Sequence, residues 1–139
     1  MKRVLVDTGP IVAIMSLADQ YHEVCVQALA HLPGPLFSCW PVITEAAWLL
    51  RRQPKAIRQL LESTSSGFIE LLQLQSTEAA EIGKVMEKYK SLRPQLADAA
   101  LVYLAERDDI ETVFTLDRRD FSVYRVGRDR PFRMLPQDK

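Results

Sequence analysis

The stretch RVLVDTGP, residues 3–10, decides the fold, because a short apolar run ends there at an acid and a Gly-Pro break. A run of this kind, bounded by turn residues, predicts a buried strand over residues 3–7. The other predicted strands cover residues 36–38, 68–74, 112–116 and 132–135.

Helical patterns separate these strands. They are predicted at residues 11–18, 21–32, 41–52, 54–63, 76–92 and 95–107. Strands that alternate with helices indicate an α/β fold, here a three-layer α/β/α sandwich with a central, mostly parallel sheet. The chain has no repeat, linker or low-complexity tract, so we expect one domain over residues 1–139.

Composition bounds the class of protein. The chain has 139 residues, of which 47% are hydrophobic, and 18 Lys and Arg balance 18 Asp and Glu. Such a chain is long and apolar enough to form a core, which argues against disorder. The two cysteines, Cys25 and Cys39, form no disulfide framework and are expected to be small buried hydrophobes.

The charge and hydropathy patterns exclude two further classes. The longest stretch without a charged residue, 24–44, contains three prolines and is therefore no membrane helix. No signal peptide is visible, so we expect a cytoplasmic protein. Zero net charge argues against a nucleic-acid coat protein, yet residues 1–117 carry a net −4 and residues 118–139 a net +4.

Acids stand at the predicted carboxyl edge of the sheet, where α/β proteins place their sites. Asp7 ends the first strand, and Asp117 follows the strand before TLDRRDF. Each could instead be a local helix cap. Asp98 and Glu45 lie in otherwise uncharged helical stretches, LADAALVYLA and PVITEAAWLL, where an unpaired carboxylate is costly. A dipole-favoured first-turn Asp or a solvated Glu is the alternative for these two.

Converging carboxylates repel one another and need cations. A set of ligands made only of oxygen suits Mg²⁺ or Mn²⁺ rather than Zn²⁺. One or two such ions can activate a water and stabilise the leaving oxygen of a phosphodiester. His22 and Cys25 lack further ligands for a zinc site. A phosphatase with Asp7 as nucleophile is disfavoured, because position 9 is Gly rather than Asp.

The runs VDTGP (6–10), PVITEAAWLL (41–50), LADAALVYLA (96–105) and TLDRRDF (115–121) together resemble the PIN-domain family, and more narrowly the VapC-type toxins and their close stand-alone relatives. The likeness extends to about Leu135 with all four acids in family order. It implies a Mg²⁺- or Mn²⁺-dependent endoribonuclease, commonly dimeric, that is the toxin of a type II toxin–antitoxin pair and is held inactive by a small antitoxin.

By position, the metal-binding and catalytic acids of the family carry over onto Asp7, Glu45, Asp98 and Asp117. Auxiliary roles fall on Thr8, Thr115 and Asp120, and Gly9 stands where many relatives have Ser or Asn. Phosphate contacts are expected from Arg51, Arg52, Arg118 and Arg119. Two alternatives stay open, namely a non-catalytic, antitoxin-binding PIN module and a metal-dependent DNA nuclease.

Overall fold

A computed structural model describes residues 2–137 and shows a central parallel sheet and a small antiparallel hairpin. The strands are β1 (Val4–Val6), β2 (Leu36–Ser38), β3 (Ile69–Leu71), β4 (Thr112–Phe114), β5 (Arg125–Val126), β6 (Arg130–Pro131) and β7 (Arg133–Leu135). The central sheet has five parallel strands in the order β3-β2-β1-β4-β7, and the hairpin of β5 and β6 precedes the last of them.

Helices flank this sheet, which confirms the predicted three-layer α/β/α class. They are α1 (Thr8–Met15), α2 (His22–Ala30), α3 (Trp40–Leu49), α4 (Pro54–Ser65), α5 (Ala79–Lys88), α6 (Leu96–Arg107) and α7 (Arg118–Phe121). None of the helices in this described part of the chain is long and apolar enough to cross a membrane.

The central strands β1 and β4 lie in the core of the protein. Every residue of β1 and β4 is buried, as a parallel sheet covered on both faces requires. In α6 the small residues Ala97, Ala99 and Ala100 are also buried, so this helix packs closely against the core. Both cysteines are buried and free, as predicted.

The chain reverses direction across the sheet next to β1. It first moves outward through β2 and β3, and then returns to add β4 and β7 on the other side of β1. Val4 of β1 is thus paired with Leu36 on one side and with Thr112 on the other. The crevice at the carboxyl ends of β1 and β4 is a topological switch point, where ligand sites form in such sheets.

Three regions differ from the sequence prediction. The first helix, predicted at 11–18 after a Gly-Pro break, is Thr8–Met15 and contains Gly9 and Pro10. The helix predicted at 76–92 is divided, because 3-10 turns at Ser76–Glu78 and Lys90–Leu92 flank α5. The tail, where no element is predicted between residues 116 and 132, contains α7 and the β5–β6 hairpin. A four-residue helix and two-residue strands are too short to show a hydrophobic period.

Candidate active site

All four acids singled out in the sequence border one open pocket, which we call the acid pocket, at the carboxyl ends of β1 and β4. The pocket receives residues from β1, α1, α3, α6 and the β4–α7 connection. Its lining comprises Asp7, Thr8, Gly9, Glu45, Leu49, Arg93, Gln95, Asp98, Leu116, Asp117 and Asp120.

Asp7 is fixed at the floor of the acid pocket. It follows β1 directly and caps α1, where one carboxylate oxygen accepts a hydrogen bond from the Thr8 backbone N–H at 2.8 Å. Its other oxygen accepts from the Thr115 hydroxyl, also at 2.8 Å. With only 6% of its surface exposed, Asp7 is a buried carboxylate with both oxygens engaged.

Thr115 joins the two strand ends. Its fully buried hydroxyl donates to Asp7 and accepts a 3.0 Å bond from the Asp117 backbone N–H. Asp117 in turn caps α7 by accepting from the Asp120 N–H at 3.1 Å. Asp7 and Asp117 are therefore both helix caps and pocket residues, so the two interpretations of each acid hold together.

Glu45 and Asp98 enter the pocket from helices. Glu45 lies on α3, which begins just after β2, and its Oε1 accepts a 2.7 Å hydrogen bond from the Thr8 hydroxyl. Asp98 lies in the first turn of α6, after the buried Pro94. Both side chains are half-buried. A short connection from β2 places the start of α3 at the edge where the strands end, and α6 starts at that edge because it runs back to the amino end of β4.

Burial and mutual repulsion make the ionised forms of two of these acids unfavourable. Burial, reinforced by Glu45 and Asp117, raises the pKa of Asp7 to about 6, although its bonds from Thr8 and Thr115 oppose the shift. Burial, with repulsion from the neighbouring acids, raises the pKa of Asp98 to about 7. The pocket therefore concentrates negative charge that its own residues do not neutralise.

The donor chemistry of the acid pocket fits a divalent cation. The four carboxylates offer oxygen ligands, which Mg²⁺ and Mn²⁺ prefer, and a cation would offset their repulsion. In residues 2–137, however, no three His, Cys, Asp or Glu side chains are already arranged to hold one metal ion. The site therefore matches by ligand type and charge, and the carboxylates would move closer around an ion.

The structure places the four predicted phosphate contacts outside the lining of the acid pocket. Arg51 packs over the Trp48 ring, 4.1 Å from its centroid, and Arg118 donates to the Pro136 carbonyl at 2.6 Å. Arg52 and Arg119 are exposed.

Sequence reasoning missed Arg93 and Gln95, which do line the pocket. Their proximity to the Asp98 motif, five and three residues before that acid, was the available signal.

Comparison with known proteins identifies the family of this chain. The chain matches the PIN domain family over residues 4–127 and belongs to that family. The VapC-type resemblance seen in the four motifs is also confirmed, and two similar proteins illustrate it.

Ribonuclease VapC26 of Mycobacterium tuberculosis (strain ATCC 25618 / H37Rv) is 29% identical over 135 residues, which cover 95% of this chain and 99% of that protein. The crystal structure of Mycobacterium tuberculosis VapC20, a sarcin–ricin loop cleaving toxin, superposes with a TM-score of 0.73 at 15% identity. That match covers 79% of this chain and 86% of VapC20, and it shows the shared fold.

Proposed function

We propose that this protein is a metal-dependent endoribonuclease that hydrolyses RNA phosphodiesters, and that it is the toxin of a toxin–antitoxin pair. The observation that carries the proposal is the convergence of Asp7, Glu45, Asp98 and Asp117 at the switch point of a PIN fold. The similarity to a protein named a ribonuclease supports RNA as the substrate.

The four carboxylates would hold one or two Mg²⁺ or Mn²⁺ ions. When bound, such ions polarise a phosphodiester and lower the pKa of a water molecule. Asp7 is held for this task by Thr8 and Thr115. Glu45 is held by the Thr8 hydroxyl, so Thr8 contributes a backbone bond to one acid and a side-chain bond to another.

Thr8 and Thr115 are therefore proposed as positioning residues. Each connects parts of the pocket that come from different elements, α1 with α3 and β1 with the β4–α7 connection. Asp120 lines the same pocket, and burial with repulsion from Asp117 raises its pKa. We propose that Asp120 is an auxiliary acid.

The direct test is cleavage of total RNA and of a labelled single-stranded RNA in Mg²⁺ or Mn²⁺, compared with EDTA. Cleavage should require the ion and be lost in Asp98→Asn. Glu106→Gln is the matched control, because Glu106 is an exposed acid at the other end of the same helix α6. Cleavage that persists in EDTA would contradict metal dependence.

The two alternatives give different results in the same assay. A DNA nuclease would cut single-stranded DNA at a rate comparable with RNA. A non-catalytic PIN module would bind a partner peptide but neither Mg²⁺ nor Mn²⁺, and it would cut neither nucleic acid. The complete set of four pocket acids favours turnover.

The partners are proposed from the same family membership. They are an RNA substrate, a small antitoxin and a second copy of this chain, all of which would be met in the cytoplasm. Large apolar side chains remain exposed on α3 at Trp40, Trp48 and Leu49, and a protein partner would cover such a surface. Light scattering of the purified protein, alone and co-expressed with the product of the neighbouring gene, tests both assemblies.

A further inference from the structure

Arg93 supplies the basic side chain in the described lining of the acid pocket, beside five acids. We propose that Arg93 binds a phosphate oxygen of the RNA strand that crosses the four carboxylates, and thereby fixes the position of the strand over them. This inference rests on the proposed function, since it names a further contact of the same site with the same class of substrate.

The Arg93 side chain is not used to neutralise the pocket. It is exposed, and no hydrogen bond or ion pair within residues 2–137 engages its guanidinium. A cation placed to balance Asp98 or Asp117 would form an ion pair with one of them. Arg93 borders them without doing so, which leaves its planar set of donors for a phosphate, an anion that guanidinium binds in bidentate fashion.

The backbone at Arg93 points to the same conclusion. Its φ of 50° and ψ of 56° lie in the left-handed region, between the 3-10 turn Lys90–Leu92 and α6. A residue with a Cβ adopts this conformation at a steric cost, and a following proline restricts it further. Glycine would meet the geometric requirement without that cost, so the turn alone does not call for arginine.

The connection to α6 makes the location of Arg93 well defined. Pro94, the next residue, is buried and fixes its own φ, and Asp98 follows within the first turn of the helix. The base of the Arg93 side chain is therefore tied to the same rigid segment as one of the four acids. The side chain proposed to bind the RNA and the Asp98 carboxylate are therefore only five positions apart on one rigid segment.

Electrostatics favours a cation at this rim. A strand of phosphates that approaches four carboxylates is repelled, and bound metal ions would offset part of that repulsion. A cation at the edge of the pocket attracts the neighbouring phosphate and sets the register. Two of the four arginines expected for this role, Arg51 and Arg118, are instead engaged with Trp48 and Pro136, and all four lie outside the lining of the pocket.

The test is RNA binding rather than cleavage alone. Fluorescein-labelled single-stranded RNA of mixed sequence is titrated with the Asp7→Asn protein in Mg²⁺, from about 50 mM to about 200 mM salt, by fluorescence anisotropy. Arg93→Gln should weaken binding about tenfold and reduce the slope of log K against log salt by about 0.7, the value for one phosphate contact on a single strand.

Arg133→Gln is the matched control. Arg133 is also exposed, and it starts β7 opposite Thr112, at the amino end of the parallel strands and so at the edge away from the pocket. It removes the same charge and should change neither the affinity nor the slope. An equal loss in both variants would show that only net charge matters, and unchanged binding in Arg93→Gln would overturn the proposal.

Arg93→Gly separates the side chain from the backbone. If Arg93 serves only the turn, glycine should match the wild type in RNA affinity. We expect instead that Arg93→Gly has a melting temperature equal to or above that of the wild type, while its RNA affinity is reduced as in Arg93→Gln. In the otherwise wild-type enzyme, the same substitution should raise the KM for RNA cleavage. If the wild-type protein neither binds nor cuts RNA, both this inference and the proposed function are wrong. If the wild type cuts RNA and the Arg93 variants bind and cut it equally well, the proposed function stands and the Arg93 contact is wrong.

Discussion

Two clusters of charged residues in this protein shift the pKa values of their carboxylates in opposite directions. In the acid pocket, burial and neighbouring acids raise the pKa of Asp7 and Asp98. Around Glu78, hydrogen bonds from Tyr103, the Gln75 backbone and Arg107 lower the carboxyl pKa to about 2. The ionised Glu78 carboxylate is stabilised by hydrogen bonds from its own neighbours, whereas the acid pocket leaves negative charge that a bound cation would offset.

The contrast has a clear structural basis. Arg107 donates to Glu78 at 2.8 Å and to the Asp108 carboxylate at 2.9 Å, so both acids share one guanidinium. Glu78 also closes the turn before α5 by accepting from the Gln75 N–H. That cluster fastens α5 to α6, and it is a stabilising device. Uncompensated acids in a crevice are typical of a functional site.

The largest expected effect is the loss of activity in Asp7→Asn. The amide keeps the size of the side chain but loses the negative charge that would hold a cation. Such a cation would stabilise the transition state by several kcal/mol, so RNA cleavage should fall by at least about a thousandfold. Rates in Mg²⁺ measure this directly. Cleavage at the wild-type rate would remove Asp7 from the catalytic set.

The pH dependence of stability should have the opposite sign in the two clusters. For the metal-free protein in EDTA, the raised pKa of Asp7 stabilises the fold below about pH 4, and this contribution is lost as the pH rises through about 6. The loss is on the order of 3 kcal/mol for Asp7. Glu78 behaves in reverse: its contribution is present above its ordinary pKa and is lost as the pH falls through about 2.

Urea unfolding of wild type and Asp7→Asn at several pH values isolates the Asp7 contribution as the difference between the two curves. Asp7→Asn should be the more stable protein at neutral pH in EDTA, and added Mg²⁺ should narrow the gap by stabilising the wild type. Parallel curves from pH 4 to pH 7 would contradict the proposed burial of charge.

A smaller effect is expected at Tyr124, which is fully buried beneath the acid pocket. Burial, with repulsion from Asp98 and the other pocket acids, raises the pKa of its hydroxyl. That hydroxyl has no hydrogen-bond partner among the described residues. Tyr124→Phe should therefore raise the unfolding free energy by about 1 kcal/mol, measured in urea. A clear destabilisation would mean that the hydroxyl has a partner in solution.

The smallest effect is expected from the compensated cluster. Arg107→Met keeps the apolar stem but removes the charge near Glu78 and Asp108, and because Arg107 is partly exposed the melting temperature should fall by only roughly 1–4 °C. RNA cleavage should not change. Lys84→Met, which removes the exposed pair with Glu81, is the control and should have less effect. A loss of cleavage in Arg107→Met would show that the cluster around Glu78 also contributes to activity.

The sequence predicted the strands of the main sheet and the positions of Asp7 and Asp117, because buried parallel strands are short apolar runs that end at polar residues. It also predicted Glu45 and Asp98, since an acid among apolar neighbours stands out. It could not predict that Thr8 donates to Glu45, or that Arg93 reaches the pocket. The Thr8–Glu45 hydrogen bond and the position of Arg93 depend on how separate elements pack together, and a local sequence pattern contains no information on that packing.

The pairing of β1 with β4 also has a consequence for the newly made chain. Val4 pairs with Thr112, and the hydrogen bond between Thr115 and Asp7 spans 108 positions of sequence. The acid pocket is therefore incomplete until most of the polypeptide has been synthesised, because residues from both ends of this span must meet to form it. The ribonuclease activity proposed for this protein would therefore be absent from a nascent chain for nearly the whole of its synthesis.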